Sequence, residues 1–111
     1  MKLLSRPEEL FMLAIWRLQD NAYAVTIRET VNDLTGKSWS FGATFVTLDR
    51  LTKKRYLTSF LSEPTQKRGG RAKRMYRLTR EGILALLDIR KLSESMWNDI
   101  PKLSLSAAED S

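Results

Sequence analysis

The stretch SFGATFVTLDRLTKKRYLTSFLSEPTQKRGGRAKRMYRLTREG, residues 40–82, decides the fold because its apolar periodicity changes twice. Apolar residues first recur at helical spacing behind Ser38 and Ser40, either of which can be the cap, and this predicts a helix over about 41–54. Residues 56–61 and 73–78 then favour strands, and the Pro- and Gly-containing segment between them indicates a loop. Thr79 can cap another helix. This stretch therefore predicts a helix, a β-hairpin and the start of a second helix, in that order.

Two further helices are predicted before this stretch. Ser5-Arg6-Pro7-Glu8 has the form of a capping box with proline in the first turn, and predicts a helix to about residues 19–21. Thr26-Ile27-Arg28-Glu29 has the same form, so Thr26 is predicted to be the N-cap of a short second helix. Gly36 lies just beyond the last apolar residue of that helix and is its stop signal.

The helix that follows Thr79 carries more apolar side chains than one face can hold. They continue to Ile100, and Pro101 is predicted to stop the helix. A domain of this length cannot easily cover so much apolar surface with its own core. We therefore expect a second copy of the chain to cover it.

The predicted fold class is mainly α with a two-stranded β wing, a winged helix-turn-helix plus a C-terminal dimerisation helix. The predicted DNA-binding region is 1–79 and the dimerisation helix is 80–101. Residues 102–111, rich in serine, alanine and acid, are expected to form a flexible tail.

The charge of the chain is distributed unevenly. From Arg50 to Arg80 there are eleven Lys and Arg residues and one acidic residue, Glu63, a balance of +10. The remainder holds the other eight of 19 basic and twelve of 13 acidic residues, a balance of −4, so the net charge is +6. This polarisation favours a polyanionic partner. The alternative is a solvated basic surface that aids solubility.

The phase of the third helix decides which of its side chains could touch DNA. A step of about 100° per residue groups Phe41, Phe45, Leu48 and Leu51 on one arc, which we predict to be buried. A different arc, small at its start and basic at its end, is predicted to face a major groove. The alternative is an ordinary amphipathic surface helix whose terminal cations complement the helix dipole. The predicted DNA contacts are Ser40, Thr44, Thr47, Arg50, Lys53 and Lys54 on or beside this helix, and Lys67, Arg68, Arg71, Lys73 and Arg74 on the wing.

The absence of cysteine and histidine narrows the function classes. It removes thiolate nucleophiles, thiolate metal sites and the commonest general base. We therefore expect no enzyme activity, no metal and no cofactor. Cysteine-free composition fits a reducing cytoplasm, and no apolar run is long enough to predict a membrane span.

Two motifs resemble the PadR family of bacterial transcriptional regulators. Residues 40–51 are similar to the small-residue start and Leu-x-x-Leu core of that family's reader helix. Residues 69–82 resemble its wing pattern of Gly, Arg and Lys followed by Tyr-x-Leu-Thr-x-x-Gly, and Tyr23 matches an aromatic before the second helix. The chain departs from the pattern at Arg55 and Ala22, where the family usually has glycine.

The resemblance covers about residues 5–92 and implies a homodimer joined through the C-terminal helix, a palindromic operator in double-stranded DNA, and usually repression. In some members it also implies a cavity near the dimer interface that binds small aromatic compounds. The residues expected to line a dimer interface or such a ligand cavity are Leu87, Leu92, Met96 and Trp97.

Two other functions fit the same predicted fold. The basic face could dock on an acidic protein surface, which would make the chain a protein-interaction module. It could also bind RNA or single strands without sequence preference, but such binding uses several exposed aromatics on one sheet face. The hairpin offers only Tyr56, Phe60 and Tyr76, which we expect to point mostly inward.

Overall fold

A computed structural model describes residues 3–63, 72–101 and 109. It confirms the predicted mixture of helices and one hairpin, with strands that begin one residue later than expected. The elements in chain order are α1 (Arg6–Leu18), a 3-10 turn (Gln19–Asn21), α2 (Ala24–Thr35), α3 (Phe41–Lys53), β1 (Leu57–Leu61), β2 (Arg74–Leu78) and α4 (Arg80–Trp97).

Three of the predicted helix caps are confirmed. The Ser5 hydroxyl accepts a hydrogen bond from the Glu8 backbone N–H, and the Glu8 carboxylate accepts one from the Ser5 N–H, which completes a capping box. Ser40 caps α3 by accepting from the Ala43 N–H at 3.1 Å. Thr79 caps α4 by accepting from the Gly82 N–H at 3.0 Å.

The predicted start of α2 is wrong. Tyr23 is the N-cap, and Thr26 stands three residues inside it. The Thr26 hydroxyl oxygen accepts from the Tyr23 N–H at 3.1 Å, so it reaches back to the cap instead of serving as the cap. Thr26 here occupies the position that glutamate or glutamine usually takes in a capping box, so the Thr-x-x-Glu pattern located the cap three residues too late. The predicted stop is confirmed, because Gly36 ends α2 with φ 71°, in the left-handed region.

The hairpin is fastened to the helical part of the protein along its second strand. β1 and β2 are antiparallel, with Leu57 opposite Leu78. Tyr23 forms an additional antiparallel bridge with Met75, and the Tyr76 N–H donates to the Ala22 carbonyl oxygen at 2.9 Å. The base of the wing is therefore held against the start of α2.

One core joins the first three helices, the hairpin and the start of α4. The side chains with the least solvent exposure come from α1, α2, α3 and β1, and Leu86 adds α4 to the same cluster. Phe11 meets the Trp39 ring edge-on, with centroids 5.3 Å apart. The largest fully buried side chains are Phe11, Met12, Ile27, Leu48, Leu51, Leu57 and Thr44.

The junction between α3 and β1 is tight and uses a left-handed residue. Arg55 has φ 66°, where the resemblance expects glycine. Its carbonyl oxygen accepts from the Thr79 hydroxyl at 2.7 Å, and the Tyr56 carbonyl accepts from the Thr79 N–H at 3.0 Å. A side chain at Gly82 would overlap that Tyr56 oxygen. The hydrogen bonds from Thr79, at the start of α4, thus hold the turn after α3 in place.

Within the described ranges, no helix combines the length and apolar character needed to cross a membrane.

Candidate nucleic-acid interface

The buried face of α3 is set by three side chains at positions i, i+4 and i+7. Thr44, Leu48 and Leu51 all have no exposed surface. Thr47 is also buried, at 4% exposed. The Thr44 and Thr47 hydroxyls donate to the Ser40 and Ala43 carbonyl oxygens, at 2.8 and 2.9 Å. These intrahelical bonds satisfy the hydroxyls and leave the threonine methyl groups free to pack in the core.

The prediction that Thr44 and Thr47 contact DNA bases is therefore wrong for this conformation. The assignment of Phe41 and Phe45 to the buried arc is also wrong, since they are 43% and 52% exposed. Hydrophobicity alone favoured the phenylalanines. The spacing of Thr44 from Leu48 and Leu51 places it on the same face as that pair, but Phe41 also lies seven residues before Leu48, so spacing alone does not fix the phase of the helix.

The exposed face of α3 is apolar at its start and charged at its end. Phe45 and Val46 are 52% and 59% exposed, and Gly42 lies between them on the helix surface. Asp49 and Lys53 follow and form a surface ion pair at 3.2 Å. Sequence reasoning missed the apolar part of this face.

Two predicted phosphate contacts on α3 are exposed and point away from the core. Arg50 and Lys53 both lie in the last turns of α3 with exposed side chains. Among the described residues, no carboxylate lies within salt-bridge distance of Arg50. Ser40 is exposed too, although its hydroxyl already serves as the helix cap. These three positions can reach a ligand without rearrangement of the core.

Lys54 has a structural partner instead. Its ammonium Nζ lies 2.6 Å from a carboxylate oxygen of Glu8, which is buried beneath it. Burial alone would raise the pKa of the Glu8 carboxyl, but hydrogen bonds from Lys54 and Ser5 outweigh burial and hold its pKa below the usual value. The positive charge of Lys54 therefore compensates the negative charge of Glu8 within the protein, and Lys54 is not one of the proposed DNA contacts.

Two of the predicted wing contacts, Lys73 and Arg74, are described, and both are exposed at the beginning of the second strand. The Lys73 ammonium lies 4.2 Å from the centroid of the Tyr23 ring, and Arg74 donates to the Ser59 hydroxyl at 3.0 Å. The other predicted wing contacts, Lys67, Arg68 and Arg71, lie outside the described residues.

A cation that sequence reasoning missed stands at the opposite end of α3. The Arg28 guanidinium of α2 lies 4.4 Å from the centroid of the Phe41 ring. Its Nε donates to the Trp39 carbonyl oxygen, which fixes its direction. No local motif marks this residue, because its position depends on the packing of α2 against α3.

The second predicted site lies on α4. Leu86 is buried, with only 4% of its surface exposed. Trp97 lies eleven residues later and therefore on nearly the same face of the helix, but it is 69% exposed. Every residue from Lys91 to Ile100 is exposed. The second half of α4 thus extends past the described core. Exposed apolar side chains along α4 are Leu84, Leu87, Leu92, Met96 and Trp97.

A shallow groove of about 230 Å³ lies between α1 and the middle of α4. Leu87 lines it, together with Leu13 and Trp16 of α1. Leu92 and Met96 line a neighbouring groove closer to the start of α1. Three of the four residues predicted for a dimer or ligand site therefore border grooves on this side of α4.

A helix-turn-helix pair, a two-stranded wing and a long terminal helix together define a winged-helix protein. No protein-family model matches the chain, and no curated protein matches it. Its fold is nevertheless similar to solved structures of transcription regulators.

RosR from H. salinarum has a TM-score of 0.69 at 19% identity, over 96% of this chain and 93% of that chain. A PadR-like transcription factor from Bacteroides fragilis has a TM-score of 0.69 at 23% identity, over 81% and 82%. A PadR family transcriptional regulator from Eggerthella lenta has a TM-score of 0.66 at 22% identity, over 88% and 83%. At these identities the likeness is one of fold, and the chain has the winged-helix fold of PadR-type structures.

Proposed function

We propose that this protein is a dimeric, sequence-specific transcriptional regulator that binds double-stranded DNA in the cytoplasm. The observation that carries the proposal is the second helix of the helix-turn-helix, α3. One face of α3 is buried, and its opposite face is open, with the exposed cations Arg50 and Lys53 at its end, of which Lys53 also pairs with Asp49 on the surface. A helix presented in this way can enter a major groove while its cations contact phosphates.

The charge pattern supports a polyanionic partner on the same part of the molecule. The segment from Arg50 to Arg80 carries a balance of +10 and includes the end of α3 and the whole hairpin. Lys73 and Arg74 keep exposed cations on the wing. The similar solved structures include PadR-type transcription regulators, so the fold and the charge support the same function.

The hairpin argues against a single-strand or RNA binder. Tyr76 is buried, and burial raises the pKa of its phenol. Phe60 is 40% exposed, contrary to the expected inward orientation, but the Arg77 guanidinium lies 4.8 Å from its ring centroid. These aromatic rings do not form the open stacking platform that such binders use. Docking on an acidic protein surface is the remaining alternative.

The test is selection of duplexes from a random library, followed by fluorescence anisotropy over a range of salt concentrations. We expect a preferred, palindromic sequence and an affinity that falls steeply with salt. Arg50→Ala should reduce the salt slope by about one. Arg17→Ala, an exposed arginine on α1, should leave the slope unchanged. Binding that ignores sequence at every salt concentration would exclude a regulator, and capture of an acidic protein after nuclease treatment would favour the alternative.

We further propose that the protein is a repressor and that a small aromatic compound releases it from DNA. Leu13, Trp16, Leu86 and Leu87 give the groove between α1 and α4 an apolar and aromatic part, and Glu9, Arg90, Ser93 and Glu94 add polar groups to its lining. A second copy seated on α4 would deepen it. Planar aromatics should quench tryptophan fluorescence and weaken binding to the selected duplex; a panel with neither effect would contradict release by such compounds.

A further inference from the structure

The open part of α3 lacks the groups with which proteins usually read base edges. Phe45 and Val46 are the most exposed apolar residues of this helix, and Gly42 lies between them. The nearby threonine hydroxyls are buried and bonded to helix carbonyls. Between the Ser40 cap and Asp49, no exposed side chain of α3 can donate or accept a hydrogen bond.

We propose that α3 reads its DNA site through the C5-methyl groups of thymine, which contact Phe45 and Val46. This inference rests on the proposed function. The thymine methyl is the one apolar group that a base pair presents in the major groove, and phenylalanine is among the side chains that contact it. Polar base edges placed against the same two side chains would lose hydrogen bonds to water and gain none.

The start of α3 is shaped for close approach. A Cβ at Gly42 would have only the Ser40 hydroxyl oxygen within 4 Å, at 3.8 Å, so the packing of this protein does not require glycine there. A missing side chain between Phe45 and Val46 lets the helix backbone come nearer to a ligand. The N-terminal residues of a reader helix are those that contact base edges.

Charge identifies DNA, and not an apolar protein groove, as the occupant of this face. Arg28 stands over Phe41 at the beginning of α3, and Arg50 and Lys53 stand at its end. Cations therefore bracket the apolar surface at both ends. A major groove has this arrangement, with methyl groups on its floor and phosphates along both edges. Because the Asp49 carboxylate pairs with Lys53, the net positive charge at this end of α3 comes from Arg50.

The experiment uses the duplex obtained by selection, synthesised once with thymine and once with uracil, which differ only in the C5-methyl groups. We expect roughly fourfold weaker binding for each buried methyl that is lost. Phe45→Ala should weaken binding to the thymine duplex and leave binding to the uracil duplex almost unchanged. Leu34→Ala removes an exposed leucine from α2 and should keep the full thymine-to-uracil ratio.

Several outcomes would overturn the inference while leaving the proposed function intact. The first is a selected duplex that binds equally well with uracil. The second is a Phe45→Ala variant that loses the same factor on both duplexes. Gly42→Ala provides an independent test: it should weaken duplex binding by about tenfold, the cost of one methyl group too many at a close contact, without lowering the melting temperature. Unchanged binding would contradict close approach at this point. If no preferred duplex is selected, the proposed function itself fails.

Discussion

The Glu8 carboxylate at the start of α1 and the Lys54 ammonium after α3 form an ion pair of 2.6 Å between residues 46 positions apart in the chain. Glu8 is almost completely buried, whereas the Lys54 side chain is 44% exposed. The same Glu8 side chain completes the α1 capping box by accepting from the Ser5 N–H. One carboxylate thus caps the start of α1 and links it to the turn that leads into the wing.

Replacement of Glu8 by glutamine should make stability less dependent on pH. The pKa of Glu8 is lower in the folded protein, so ionisation stabilises the fold above the ordinary value of 4.5, and this stability is lost as the pH falls through the lowered folded value. At pH 7 we expect Glu8→Gln to cost about 1–3 kcal/mol, a range reduced for the solvent exposure of Lys54. Urea denaturation at pH 7 and below pH 4 measures the effect.

The free energies of unfolding of the wild type and of Glu8→Gln should converge as the pH falls below 4.5. Lys54→Met is the matched variant, because it leaves a buried carboxylate without its partner, and it should be destabilising at pH 7. In duplex binding it should leave the salt slope unchanged, unlike Arg50→Ala. A constant stability difference between wild type and Glu8→Gln at every pH would contradict this account.

Replacement of Gly82 by alanine should be strongly destabilising although it adds one methyl group. The added Cβ would overlap the Tyr56 carbonyl oxygen, a backbone atom that also accepts from the Thr79 N–H. Neither partner can rotate away, so the start of α4 must shift, at about 1–3 kcal/mol or more. Gly42→Ala is the control, since the space around Gly42 is open. Equal melting temperatures for the two variants would contradict the predicted clash.

The order of helices and strands could be predicted from the sequence because it depends on local signals such as helix caps and turn residues. Ser5, Ser40 and Thr79 cap helices at predicted positions, and Gly36 ends α2. The strands follow from alternation and from the turn residues between them. These signals act over three to five residues, so they do not depend on the rest of the fold.

The orientation of α3 could be predicted only in part. Phe41 and Phe45 are more hydrophobic than Thr44 and Thr47, yet the core accepts the threonines. The choice depends on the space left beside α1 and α2, which is a tertiary property. The roles of Lys54 and Arg28 depend on contacts with Glu8 and Phe41, on other helices, and no pattern in the sequence marks those contacts.

Replacement of Arg55 by glycine should stabilise the turn after α3. Arg55 has φ 66°, where a Cβ crowds the backbone at a cost of roughly 1–2 kcal/mol. Glycine removes that strain, and its greater freedom in the unfolded chain offsets part of the gain. We expect Arg55→Gly to exceed Arg55→Ala by about 1 kcal/mol in free energy of unfolding, measured in urea. If alanine were the more stable variant, the turn would not be left-handed.

Charged substitution on α4 should dissociate the proposed dimer and weaken DNA binding with it. Trp97 and Met96 are both 69% exposed in the single chain, and Leu87 is 42% exposed. Apolar surface of this kind usually marks an interface. Light scattering at micromolar concentration should give a dimer for the wild type and a monomer for the Leu87→Glu, Trp97→Ala double variant.

The same variant separates assembly from folding and from DNA contact. Its helical signal and melting of the winged-helix region should persist, because Leu86 and not Leu87 belongs to the core. Its affinity for a palindromic duplex should fall by about 10²-fold or more, since two linked reader helices bind as one unit. Affinity for a single half-site should change little. Leu34→Glu, which places a charge on α2 at a position 65% exposed, should remain dimeric. A wild-type monomer that binds the palindrome with full affinity would exclude the dimer and require each half-site to be read independently.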